Sequence, residues 1–206
     1  MSDDPVLPAS AFAREDDGDD LAFYAPARLV THIDDRAIAA LTACYRTLVP
    51  DGAHVLDLMS SWVSHLPDDR TYAEVVGQGM NADELAANPR LDRWFVRDLN
   101  ADPTLPLATD SFDAALCCVG VQYLQQPYAV FAEVRRVLRP GAPFAASYSN
   151  RCFPTKAVAV WRSMSLNDHA SLIGHYLTQA GFGDVEARLL ADGSTGDPLV
   201  VVVGRA

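Results

Sequence analysis

Apolar runs of strand length alternate along this chain with segments in which apolar side chains recur at helical spacing. The alternation is clearest in residues 111–150. Residues 114–119 form an apolar run, residues 130–138 carry apolar side chains on one helical face, and Pro140-Gly141 ends that helix before a second apolar run. A strand, a helix and a strand in this order favour a parallel sheet.

The same pattern continues on both sides of this unit. Further strands are predicted at 54–58, 72–76, 94–96, 185–190 and 199–203, and helices at 26–48, between the 59–61 turn and Pro67, from Asn81, at 154–161 and at 167–180. The last two strands are close enough in sequence to pair as an antiparallel hairpin. The sequence therefore predicts one α/β domain, a doubly wound, seven-stranded, mostly parallel sheet with a C-terminal antiparallel hairpin and an N-terminal helical lid.

The first 20 residues differ in composition from the rest of the chain. They contain seven acidic residues, which are Asp3, Asp4, Glu15, Asp16, Asp17, Asp19 and Asp20. Because such a segment has little apolar surface to bury, we predict a disordered or late-ordering acidic arm over residues 1–20 and a folded domain over residues 21–206.

The overall charge narrows the classes of partner. With 27 acidic against 16 basic side chains, the formal net charge is −11, which opposes nucleic-acid binding and favours small substrates. No apolar stretch is long enough to span a membrane and the N-terminus does not resemble a signal peptide, so a cytoplasmic location is expected. Four cysteines without C-x-x-C spacing are expected to be reduced, and no residue spacing indicates a metal site.

The central segment LPLATDSFDAALCCVGVQYLQQPYAVFAEVRRVLRPGAPF carries the most specific pattern in the chain. Leu-Pro, then Ser-Phe-Asp before the fourth strand, then Arg-Val-Leu-x-Pro-Gly before the fifth resemble the class I S-adenosylmethionine-dependent methyltransferases. The resemblance covers roughly residues 24–206. It implies S-adenosylmethionine as the cofactor and methyl transfer to a small-molecule substrate.

The turn after the first strand departs from that family. Asp57 stands at the family's first-strand acidic position, but the three expected glycine positions hold Met59, Ser61 and Val63. Two outcomes follow from this turn. Either Ser60 and Ser61 cap the next helix and bind the cofactor carboxylate, or Met59 and Trp62 fill the pocket.

The remaining cofactor positions are assigned by the same resemblance. The family's ribose carboxylate position falls on Gly79, so Asn81 or Gln78 is the replacement acceptor, although Gly77 and Gly79 also suit a simple tight turn. The other assigned residues are Met80 beside the adenine, Asp98 and Leu99 at its edge, and Cys118 and Gln122 near the methyl donor. Turn formation or core packing also explains several of these residues.

The candidate catalytic residues precede the first strand. Tyr24, Arg28 and His32 are spaced four apart, which places Arg28 and His32 on one face of the predicted helix. His32 is a candidate general base and Arg28 a candidate clamp for an acidic substrate. The alternative is that these are solvated surface residues.

Three functional hypotheses remain. The first is a methyltransferase that uses S-adenosylmethionine on a small molecule. The second is a non-catalytic relative whose closed cofactor site leaves a role in protein interaction or regulation. The third, a nicotinamide oxidoreductase, lacks the expected G-x-G-x-x-G after the first strand.

Overall fold

The computed structural model describes residues 6–206 as a seven-stranded sheet with helices on both faces. The strands are β1 (His54–Leu58), β2 (Glu74–Gly79), β3 (Arg93–Val96), β4 (Ala114–Cys118), β5 (Pro143–Tyr148), β6 (Gly183–Ala191) and β7 (Leu199–Arg205). The helices are α1 (Asp20–Tyr24), α2 (Asp35–Leu48), α3 (Ala82–Ala87), α4 (Pro127–Val137), α5 (Ala159–Ser163) and α6 (Leu166–Gln179).

The sheet has the predicted topology. Its strand order is β3-β2-β1-β4-β5-β7-β6, in which β1 to β5 run parallel and β7 pairs antiparallel with both β5 and β6. The order reverses between β1 and β4, which are direct neighbours. In an open sheet of this kind, ligands bind beyond the carboxyl ends of the strands at such a reversal.

Two apolar layers hold the helices against the sheet. On one face, α4 and α6 contribute Phe131, Val134 and Tyr176 to a core that includes Phe144 of β5. On the other face, α2 buries its apolar stripe, including Leu41, against the sheet. Strands covered on both faces read as continuous apolar runs, which explains why β4, β5 and β7 were recognisable in sequence.

The predicted helix between β1 and β2 is absent. Residues 59–73 instead form an irregular connection held by side chains. Asn88 donates from Nδ2 to the Ser61 carbonyl and to the Ser64 hydroxyl, both at 2.9 Å. Ser64 in turn donates to Asp57 at 2.5 Å. Serine and asparagine side chains that bond locally in this way compete with helical hydrogen bonding, which the sequence pattern did not reveal.

The helix predicted from Pro26 begins nine residues later, at Asp35. Asp34 caps it by accepting a hydrogen bond from the Ala37 amide at 2.9 Å, and the same carboxylate also accepts from the Asp197 amide at 2.6 Å. Arg28 and His32 therefore lie on an irregular segment rather than on one helical face, contrary to the prediction.

The described part of the acidic arm, residues 6–20, is folded. Phe12 lies in a short 3-10 turn and is buried in the core. Asp20 is also buried and pairs with Arg14 at 2.6 Å and with Lys156 at 2.9 Å. Acidic composition predicted a disordered or late-ordering arm here, because the sequence does not show that the basic partners are buried with the acids. The prediction for residues 1–5 lies outside the described residues.

Within residues 6–206, no helix is long and apolar enough to cross a membrane. All four cysteines are free thiols in the structure.

Candidate functional site

A cavity of about 330 Å³ opens at the carboxyl ends of β1, β2 and β4. The turns that follow these strands form its floor. Segments around Tyr24 to His32 and around Arg151 to Phe153 form the opposite wall. This is the position that a doubly wound sheet provides for a ligand, and the volume is within the range of small-molecule sites.

Most of the sequence-predicted site residues line this one cavity. They are Tyr24, Arg28, His32, Asp57, Met59, Ser60, Ser61, Gly79, Met80, Asn81, Asp98, Leu99 and Cys118. Gln122 does not line it, because its side chain is buried and donates to the Val119 carbonyl at 2.6 Å. No metal-binding group of three or more ligating side chains is present among residues 6–206.

The altered turn after β1 is held to the end of β2 by Gln78. The Met59 amide donates to the Gln78 side-chain oxygen at 3.0 Å, and the Ser60 amide donates to the Gln78 carbonyl at 2.7 Å. Met59 adopts a φ of 54°, which is the left-handed conformation that glycine usually supplies. The chain therefore keeps the positive φ at this position despite the missing glycine. The predicted cap at Ser60 and Ser61 does not form, because no helix follows.

The same turn explains the absence of a ribose carboxylate on β2. A Cβ built on Gly79 would meet the Ser60 carbonyl oxygen well inside contact distance, and it would also press on Leu85. An acidic side chain at this position is therefore incompatible with the path of the turn. The two departures from the family pattern have one structural cause.

The proposed replacements for that carboxylate are already engaged. The Asn81 Nδ2 donates to the Tyr24 and Ala25 carbonyls, at 2.8 and 2.9 Å, and its Oδ1 caps α3 at Glu84. The Gln78 Nε2 donates to the Arg97 carbonyl at 2.8 Å. Both side chains therefore shape the cavity through protein contacts, and their role towards a ribose stays a prediction.

Asp57 is a buried carboxylate at the cavity floor. Both Ser60, at 2.6 Å, and Ser64 donate hydroxyl hydrogen bonds to the same oxygen of Asp57. Burial raises the pKa of Asp57 to about 6, and the two hydroxyls offset only part of that shift. A positively charged ligand group in the cavity would favour the ionised form.

Asp98 and Leu99, which follow β3, also line the cavity. Asp98 accepts a hydrogen bond from the Asn100 amide at 2.8 Å, and Leu99 is buried beside it. Asn100 connects this turn to the N-terminal segment by donating to Asp20 at 3.1 Å. Asp20 itself lines the cavity. The acidic segment, which the sequence placed outside the folded domain, is therefore part of the site.

The wall opposite the sheet is aromatic, a feature that the sequence did not predict. Phe153 lies at the centre, with ring centroids 5.5 Å from Phe23, 6.3 Å from Tyr24 and 6.0 Å from Tyr123. The Arg28 guanidinium lies over this group, 5.0 Å from the Phe23 ring centroid. These rings come from three distant segments, so no local pattern in the sequence connects them.

Desolvation is the main cause of the shifted pKa values of Tyr24, His32 and His65 in the cavity. The pKa of Tyr24 is raised, and that of His32 is lowered. The pKa of His65 is lowered to about 4, with His32 nearby adding to the effect. Tyr24 is therefore protonated and both histidines are neutral near neutral pH.

Backbone strain is concentrated around the cavity. Among residues 6–206, five non-glycine residues have positive φ, and Met59, His65 and Val119 of these line the cavity. A β-branched residue such as Val119 is rarely found in this conformation. Such strain persists only where the surrounding structure imposes it, and it is typical of functional sites.

Residues 61–146 match the methyltransferase domain family. The biotin biosynthesis bifunctional protein BioHC of Teredinibacter turnerae is 31% identical over 87 residues, which are 39% of this chain and 15% of that protein. The malonyl-[acyl-carrier protein] O-methyltransferase of Hahella chejuensis is 33% identical over 94 residues, which are 43% of this chain and 33% of that protein. The chain thus spans no more than a third of the length of these curated relatives.

Solved structures show the same fold. A structure of an S-adenosylmethionine-dependent methyltransferase from Mesorhizobium loti matches with a TM-score of 0.56 and 18% identity, covering 81% of this chain and 98% of that one. Residues 61–146 are thus similar to a methyltransferase domain, and the whole sheet has the fold of the class I methyltransferases. S-adenosylmethionine is the cofactor of that class, and these similarities favour it over a nicotinamide cofactor.

The lining of the cavity is chemically compatible with the adenosyl part of that cofactor. Asp98 offers a carboxylate for an amino group, and Leu99 and Met80 offer apolar surface for a ring. Met59 lines the cavity without filling it. Trp62 is directed elsewhere, because its indole Nε1 donates to the Val30 carbonyl at 2.9 Å. The space next to Met59 is therefore open. This favours the interpretation in which the turn leaves room for the cofactor over the one in which Met59 and Trp62 fill the pocket.

Proposed function

We propose that this protein binds S-adenosylmethionine and transfers its methyl group to a small molecule. The observation that carries the proposal is the open cavity at the strand-order reversal, lined by the residues that the methyltransferase pattern assigns to the cofactor. When bound, the cofactor supplies a methyl group on a positively charged sulfur. The residues that would hold its adenosyl part are Met80, Asp98 and Leu99.

The substrate side is assigned to Tyr24 and His32. Both line the cavity, and the His32 ring lies 6.3 Å from the Phe153 ring. A neutral imidazole accepts a proton from a hydroxyl or amino nucleophile, and its lowered pKa keeps His32 neutral near neutral pH. The protonated Tyr24 hydroxyl orients a substrate as a hydrogen-bond donor.

Calorimetric titration with S-adenosylmethionine and S-adenosylhomocysteine tests the proposal. We expect micromolar binding of both ligands by the native chain. A Leu99→Trp variant places a bulky ring at the adenine end and should abolish binding, whereas Leu189→Trp on exposed β6 should not. Absence of binding by the native chain would reject the proposal and favour the non-catalytic reading.

A further inference from the structure

We propose that Arg28 binds the α-carboxylate of the cofactor's methionine moiety, and so replaces the helix N-terminus that is missing after the altered turn. This inference rests on the proposed function. It assigns Arg28 to the cofactor rather than to an acidic substrate, which was the role suggested by its position in the sequence.

The start of the turn after β1 offers few free donors to a carboxylate. Its Met59 and Ser60 amides already donate to Gln78. The hydroxyl of Ser60 donates to Asp57, and that of Ser61 donates to Glu84 at 2.7 Å. No helix begins at this turn, so the amides and dipole of a helix N-terminus are missing as well.

The floor of the cavity is instead suited to a cation. Asp57 and Glu84 both line it, on the side of the turn. Their carboxylates repel a ligand carboxylate and attract an ammonium group. The amino-acid part of the cofactor carries one group of each charge, so its carboxylate needs a positive partner on another wall.

Arg28 provides that partner. It is half-buried at the cavity, and its guanidinium donates only to main-chain carbonyls, to Phe23 at 3.0 Å and to Pro26 at 3.4 Å. The ion pairs formed within residues 6–206 do not include it. A guanidinium offers five donors in a planar fork, so hydrogen-bonding capacity remains for a carboxylate.

The aromatic wall holds this cation in place. The guanidinium carbon lies 5.0, 5.9 and 5.6 Å from the ring centroids of Phe23, Tyr24 and Phe153. Because Arg28 already occupies the aromatic group, that group does not select a cationic ligand. It fixes the guanidinium and limits its hydration, which strengthens an interaction with an anion.

Glu84 connects Arg28 to the altered turn. One Glu84 oxygen accepts the backbone amide of Arg28 at 2.6 Å, and the other accepts the Ser61 hydroxyl. Arg28 on the wall and Glu84 on the floor are therefore parts of one hydrogen-bonded unit. Their opposite charges face the same cavity and match the zwitterionic end of the cofactor.

The other basic side chains of the cavity are less suitable. Arg151 pairs with Asp197 at 2.8 Å. Desolvation lowers the pKa of both His32 and His65, which leaves them uncharged near neutral pH. Arg28 is the permanent cation of the lining that has no carboxylate partner among the described residues.

The test compares two ligands that differ in the amino-acid end. S-adenosylhomocysteine has it, whereas 5′-methylthioadenosine keeps the adenosine and the thioether but lacks the ammonium and carboxylate groups. We expect Arg28→Met to weaken S-adenosylhomocysteine binding about ten- to hundredfold, the range for one charged hydrogen-bonding partner, and to leave 5′-methylthioadenosine within about twofold. Arg28→Gln, which keeps donors for the Phe23 carbonyl, serves if the methionine variant does not fold.

Arg90→Met is a matched control. Arg90 also donates to two main-chain carbonyls and lies over an aromatic ring, that of Tyr72 at 5.3 Å, but it is outside the cavity lining. We expect this variant to bind both ligands normally.

Three results would overturn the inference, and they are distinguishable. Equal loss of both ligands in Arg28→Met would show that Arg28 only shapes the cavity. Unchanged binding of both would return Arg28 to the substrate side. Failure of the native chain to bind either ligand would reject the proposed function itself. The native chain is titrated first, so this result is known before any variant is measured.

Discussion

At the scale of single residues, the site contains two residues in energetically unfavourable states, one a buried carboxylate and the other a strained backbone conformation. Asp57 is a carboxylate buried among apolar strands, and Met59 occupies a backbone conformation that suits glycine. Each state lowers the stability of the folded protein, and each lies on the cavity floor. Unfavourable backbone conformations and buried charges are typical of ligand sites, where the residue serves function rather than packing.

Asp57 should make stability depend on pH in a defined direction. Because burial raises its folded pKa to about 6, above the ordinary value of 3.8, the folded state binds this proton more tightly than the unfolded state. The free energy of unfolding therefore falls as pH rises from about 4 to about 7, by up to about 3 kcal/mol for this group. Urea unfolding of the native protein and of Asp57→Asn should show the native protein losing stability relative to the variant over this range. A pH-independent difference would contradict the assignment.

At Met59, the glycine variant should be more stable than the alanine variant, which reverses the usual order of stability. Its φ of 54° costs any L-residue about 1 kcal/mol or more, and glycine avoids that cost. We expect Met59→Gly to be more stable than Met59→Ala by about 1 kcal/mol in chemical denaturation. Met80 is the control, because it lacks positive φ, and there the alanine variant should be the more stable one. The same order at both positions would argue against strain at Met59.

At the scale of elements, the β1 turn and the end of β2 form one structural unit. Gln78 bonds the turn through both its side chain and its carbonyl, and Gly79 leaves the space that the Ser60 carbonyl occupies. The missing glycines of the turn and the missing acid of the strand are thus two parts of a single rearrangement. It also removes the helix that the sequence pattern predicted after β1.

This coupling makes Gly79 intolerant of any side chain. We expect Gly79→Ala to reduce the free energy of unfolding by roughly 1–3 kcal/mol, because the new Cβ meets the Ser60 carbonyl oxygen, a main-chain atom that cannot rotate away. Gly183→Ala, at the start of β6 with open space around it, should change stability by less than about 0.5 kcal/mol. Equal effects at the two glycines, measured by urea unfolding, would refute the coupling. Gly79→Asp should not improve cofactor binding for the same reason.

At the scale of the whole molecule, the N-terminal segment contributes to the site through Asp20. Asp20 binds Arg14, Lys156 and Asn100, and so joins residues before the domain to the loops that follow β3 and β5. The side chains of Arg14, Asp20 and Lys156 are 5%, 4% and 1% exposed. A buried charge group of this kind is strongly destabilised when one partner is removed.

Removal of the Lys156 charge should detach the N-terminal segment from the rest of the folded protein. We expect Lys156→Met to cost about 3–5 kcal/mol locally and to make residues before Tyr24 sensitive to limited proteolysis while the sheet stays folded. Arg162→Met is the control, because it removes an exposed pair of the same segment, with Glu15, and should cost less than about 1 kcal/mol. Equal protease resistance of Lys156→Met and the native protein would show that the charge group does not hold the segment.

The sequence by itself determined the sheet, since apolar runs in strands covered on both faces and amphipathic spacing in α2, α4 and α6 are local properties of the chain. It also placed Asp98, Leu99, Met80 and the β1 turn at one edge of that sheet, because parallel strands end on the same side. Only the tertiary structure decided how Gln78 reshapes the turn, which rings surround Arg28 and how the acidic segment is neutralised. Those features depend on contacts between residues far apart in the chain, and neither periodicity nor composition records such contacts.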